Sequence, residues 1–123
     1  MPLRDRMAFI KDGQDVVSGI KAVATPGHTV GHTSFLITSG DQTLCVTGDV
    51  LHHHVLSVQK PRLEFAFDTD AKQGVATRLQ LLDMLATDGL PFLTFHFPWP
   101  GLGHVTKAGE GFRYIAAPMQ MVL

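Results

Sequence analysis

The sequence predicts an α+β fold, a mostly antiparallel or mixed sheet with one main helix, and three observations carry that expectation. Short apolar runs bounded by Gly, Asp and Ser recur over residues 7–47, as strands joined by turns require. One stretch with helical periodicity follows, and after it come further short apolar runs around a Pro/Gly-dense segment. The chain has 123 residues, 45% of them hydrophobic, and a formal net charge of −1. That size suits one core, so residues 1–123 are expected to form a single domain.

In chain order, the run Met7-Ala8-Phe9-Ile10-Lys11 meets Asp12-Gly13, a hairpin turn pair, and then a β-branched segment over residues 16–25 interrupted by Gly19, which together predict a hairpin. TSFLIT (residues 33–38) and TLCVT (43–47), joined by a polar loop containing Gly40, predict a second antiparallel pair. Over residues 71–87 Val75, Leu79, Leu82 and Leu85 recur every three or four positions, which marks one helical face. Asp70 is placed to cap that helix, with Gln73 three residues on and Gly89 after its end. PFLTFHF (91–97) reads as a strand, WPGLGH as a turn, and GFRYIAA (111–117) as a last strand.

Several function classes are disfavoured by composition. Ten Lys+Arg against eleven Asp+Glu, without a basic block, lack the electrostatic footprint of a nucleic-acid binder. The uncharged stretch over residues 22–40 holds Pro26, glycines and two histidines, which a membrane helix would have to bury in hydrocarbon. The charged start MPLRDR and the lone Cys45 point to no secretory signal, no internal disulfide and a cytoplasmic home.

The chemistry concentrates at predicted strand ends, where sites are commonly built. His28 and His32 stand in a loop tightened by Pro26 and two glycines, Asp49 follows Gly48 at the end of an apolar strand, and His96 ends another. Taken together, TPGHTVGHTSFLI, the strand ending in TGD, and FHFPWPGLGHV resemble the C-terminal half of the metallo-β-lactamase-fold hydrolases, in the branch of lactonases and methyl parathion hydrolase. The resemblance implies half of an αββα sandwich with a two-metal site at one edge. It implies that His28 completes the first metal's ligands, that Asp49 bridges both metals, and that His96 ends the second set. Neutral imidazoles and a carboxylate suit zinc or another divalent transition metal. His32 is expected to order the glycine loop, and His104 to fix the last turn or border a substrate pocket.

One departure from the family pattern governs the functional expectation. The HxHxDH motif, which supplies the other four ligands in relatives, does not occur in these 123 residues. His52-His53-His54 cannot replace it, because neighbours on an extended chain point to opposite faces. Asp68 and Asp70 read as loop and cap residues, Arg78 as a partner of one of them, and Cys45 as a buried inert thiol. The expected function is therefore that of a hydrolase-like chain for lactone, ester or phosphotriester bonds, inactive by itself. A homodimer with a composite metal site and a non-enzymatic binding module are the alternatives. Apolar residues on both faces of Phe35-Leu36-Ile37 and Leu44-Cys45-Val46 lead us to expect a homodimer in solution.

Overall fold

A computed structural model of the chain describes residues 3–118. It is an α+β fold with a seven-stranded mixed sheet and one main helix. Strands β1 (Asp15–Val17), β2 (Ile20–Ala24), β3 (Thr33–Ser39) and β4 (Gln42–Val46) form an antiparallel meander. The chain then leaves the sheet through a short 3-10 turn (Gly48–Val50), α1 (Leu56–Gln59) and α2 (Ala71–Asp88). It returns as β5 (Phe92–Leu93), parallel to β4, and continues antiparallel through β6 (Leu102–Ala108) and β7 (Gly111–Ala116). The parallel β4–β5 step is a β-α-β crossover, which leaves the carboxyl ends of both strands at one sheet edge.

The helix forms where its local signals place it. Asp70 accepts a hydrogen bond from the Gln73 amide at 3.0 Å, and Gly89, in the left-handed region, closes the other end. Its buried stripe runs through Gly74, Thr77, Arg78, Leu81, Leu82 and Leu85. Val75 and Leu79, expected at the centre of that stripe, are half-buried on its flank. Leu81, Leu82 and Leu85 pack with Cys45, Val58, Phe92, Val105 and Phe112 into the core, on the face of the sheet that α2 covers.

Three expectations about the sheet are corrected. Residues 7–11 are not a strand: the first hairpin turns at Ser18-Gly19, and Asp12 instead uses its carboxylate to accept from the Ala24 amide at 2.8 Å. Without a partner strand the segment has little to bury, and Phe9 is 93% exposed. The strand expected over 91–97 shrinks to two residues, because the following prolines and Gly101 turn the chain back. β6 was not expected, since its first residues sit within the Pro/Gly-rich segment, yet it pairs with β7 over six register positions.

On the face away from α2, alternation places a second set of apolar residues. Phe35 pairs with Val46, Ile37 with Leu44, Val46 with Leu93, and Leu93 with Leu102. Ile37 is 37% exposed and Leu93 38% exposed, so this row is open among the described residues.

Cys45 lies on the covered face at 1% exposure, and burial pushes its thiol up to about 11. We expect no reaction with a thiol reagent at mildly alkaline pH until the protein is unfolded. The unfolded chain loses this proton first as pH rises, so the group withdraws stability above pH 9 and toward about 11. Rapid native labelling would show that the β4 face opens.

Candidate metal centre

The site stands at the sheet edge where β2, β4 and β5 end. After β2, the loop carrying His28 is pinned to the start of α2: the Thr69 amide donates to the His28 carbonyl at 3.0 Å and the Asp70 amide to the Gly27 carbonyl at 2.9 Å. Asp49 sits in the 3-10 turn after β4, His52 just beyond it, and His96 in the loop after β5.

His28, Asp49 and His96 are brought together. One Asp49 oxygen lies 3.2 Å from His28 Nε2 and the other lies 3.0 Å from His96 Nε2. The three side chains are 24%, 27% and 41% exposed, so the cluster is open to solvent on the His96 side. A carboxylate with an imidazole nitrogen against each oxygen requires protons or a cation between them, and a divalent ion of the zinc type accepts this donor set. The donor types therefore suit such an ion, and the three-residue group that includes Asp49 with one atom of each within 4.8 Å of the others is Asp49, His52 and His96.

His32 acts on this cluster through the backbone. Its Nε2 accepts the Asp49 amide proton at 2.9 Å, so its own proton resides on Nδ1, which donates to the Thr25 carbonyl at 3.0 Å. Burial holds the imidazole below its ordinary pKa, with Thr25 and Asp49 opposing, in keeping with this neutral tautomer. Gly48 makes room for the ring: it has φ +58° and a Cβ there would stand 2.7 Å from His32 Nε2.

Two residues not assigned to the site from sequence complete the cluster. Asp68 Oδ1 accepts from His28 Nδ1 at 3.2 Å and from His52 Nε2 at 3.1 Å. Asp49, His52 and His96 each offer one atom within 4.8 Å of the others, as do His28, His52 and Asp68. The histidine run thus splits into separate roles. His53 Nδ1 accepts the Val55 and Leu56 amides at the start of α1, and His54 stacks on His53 at 4.7 Å. His104 is exposed on β6, opposite Ile115 and outside the cluster. The signal for Asp68 was Arg78, an arginine on a helical stripe otherwise buried, which calls for a carboxylate partner.

Solved structures with this architecture include AidC, a dizinc quorum-quenching lactonase in complex with a product, N-hexnoyl-L-homoserine. The match has 30% identity and a TM-score of 0.91, and covers 97% of this chain and 40% of that one. The hydrolase AbOPH of the beta lactamase superfamily matches at 30% identity and a TM-score of 0.83, over 89% of this chain and 38% of its own. A probable metal-dependent hydrolase from Staphylococcus aureus matches at 20% identity and a TM-score of 0.74, over 95% and 42%, and speaks to the fold alone. The chain thus spans about two fifths of the length of these structures. No protein-family model and no curated protein matches it.

Proposed function

Because this chain is a partial domain of the metallo-β-lactamase hydrolase fold, we propose that it carries one side of a divalent-metal hydrolytic centre for lactone, ester or phosphotriester bonds. The observation that carries this reading is the convergence of His28 and His96 on the two oxygens of Asp49. A divalent ion held there, zinc being favoured, would supply Lewis acidity toward a carbonyl or phosphoryl oxygen and toward water. His28, His96 and Asp49 would hold it, and His32 would keep the Asp49 turn in place. A carboxylate and two or three imidazoles open to solvent make a weak site, and the HxHxDH ligands that relatives add are not among these residues.

The 123-residue chain assayed alone with added zinc or manganese is therefore expected to hydrolyse an aryl ester, a lactone and a phosphotriester at close to the background rate. Turnover comparable to that of a full-length relative, abolished by His28→Ala, would overturn the one-sided site. It would favour the composite reading, in which two copies supply three ligands each.

The open sheet face supports a homodimer as the solution form. Its row of Phe35, Ile37, Leu44, Val46 and Leu93 is continuous across three strands, and a two-fold axis lets such a row pack on its own copy. A stable pairing would bury roughly 1,000 Å² or more. Light scattering is expected to give twice the 13.4 kDa chain mass, and Leu93→Glu to give the single mass. A wild-type monomer at micromolar concentration would refute the pairing. No helix among the described residues is long and apolar enough to cross a membrane; the lone buried Cys45 supports the proposed cytoplasmic home.

A further inference from the structure

We propose that Asp68, clamped by Arg78, is the positioning residue of this site, fixing the tautomer of His28 and tying His52 to it. The proposal rests on the metal reading above and adds to it a residue that does not touch the ion. Its starting point is a carboxylate 2% exposed beside a guanidinium 1% exposed, 3.5 Å apart. Arg78 is itself held rigidly: it donates to the carbonyls of Val50 at 3.1 Å, Pro61 at 3.0 Å and Leu63 at 2.7 Å, and its guanidinium carbon stands 4.6 Å over the Phe65 ring. A guanidinium fixed at this many points gives Asp68 a single position.

The two oxygens of Asp68 then have separate tasks. Oδ2 faces Arg78, while Oδ1 accepts from His28 Nδ1 and His52 Nε2. A charged acceptor at Nδ1 puts the His28 proton there, so that Nε2, 3.2 Å from Asp49, is the nitrogen left to bind a cation. This is the carboxylate–histidine arrangement by which a ligand's partner sets its orientation and basicity. Asp68 is not itself a ligand in this account, since both its oxygens are engaged away from Asp49 and His96. The backbone leaves room for it at one point: a Cβ on Gly74 would lie 2.5 Å from Asp68 Oδ2.

Two variants and two readouts test the role. Asp68→Asn keeps a carbonyl oxygen for Arg78 but removes the charged acceptor, and Gly74→Ala displaces the carboxylate without altering a polar group. Zinc affinity, measured by competition with a chromophoric chelator, is expected to fall about 10- to 100-fold in each, with the circular dichroism spectrum retained. Nitrogen-15 NMR of metal-free Asp49→Ala, in which no carboxylate competes for His28 Nε2, above the pH range of imidazole titration, is expected to show His28 as the Nδ1–H tautomer. Adding Asp68→Asn to that variant should give a mixture, with His28→Gln providing the assignment. Unchanged zinc affinity in both variants, or an unchanged tautomer on adding Asp68→Asn, would overturn the proposal. If the wild type binds no zinc, the metal reading fails, while the tautomer comparison still decides what Asp68 does.

Discussion

Asp49→Ala is expected to lower zinc affinity at least about 100-fold, the upper end of what loss of an outer-shell partner costs. Asp49 is the carboxylate between two imidazoles, with one oxygen against each, so its removal takes away the negative charge and the shared point of attachment together. His28 and His96 then remain as neutral donors with no group joining them. His53→Ala serves as the control, because His53 caps α1 from outside the cluster, and it should leave the affinity unchanged. Titration calorimetry near neutral pH separates the two, and equal affinity for Asp49→Ala and the wild type would remove Asp49 from the site.

The second large effect is on stability. Arg78→Met should destabilise the fold by about 3–5 kcal/mol, because it leaves the Asp68 carboxylate buried without its charge partner. Three backbone carbonyls, of Val50, Pro61 and Leu63, lose their donor in the same step, and each unsatisfied buried acceptor adds to the cost. Burial already draws the guanidinium below its ordinary pKa, with Asp68 opposing, so the pair depends on its mutual contact. Urea unfolding measures the change. A loss below about 1 kcal/mol would place Arg78 among weakly contributing, surface-like pairs.

Some of this was legible in the sequence because the signal was local. The helix over Ala71–Asp88 has its cap in Asp70 and its stop in Gly89, both within a few residues of its ends. β3 and β4 are apolar on both faces and pair antiparallel as expected, since both strands sit inside the sheet. The first hairpin was misplaced because two glycine-containing turns compete, and the strand pairing that decides between them lies in β2 and β3. β6 was hidden by the glycines and prolines before it and by polar residues such as His104, Thr106 and Lys107.

The site divides in the same way. His28, Asp49 and His96 stand out because glycine-rich strand ends mark them in the sequence. Asp68 and His52 do not, because what makes them matter is a buried arginine ten residues along in one case and the 3.1 Å contact between them in the other. Arg78 is expected from the sequence to pair with Asp68 or Asp70, and it meets Asp68; that it does so fully buried, with Thr77 beside it donating to the Pro26 carbonyl, depends on tertiary contacts that no local pattern shows.

The most direct test of the central claim is to locate the ion. Crystals of the chain grown with zinc, measured at the zinc absorption edge, should give an anomalous peak against the Asp49 carboxylate, beside His28 Nε2 or His96 Nε2, and none in crystals of Asp49→Ala. A peak at the stacked His53 and His54 instead, or no peak at the Asp49 cluster at saturating zinc, would contradict the account.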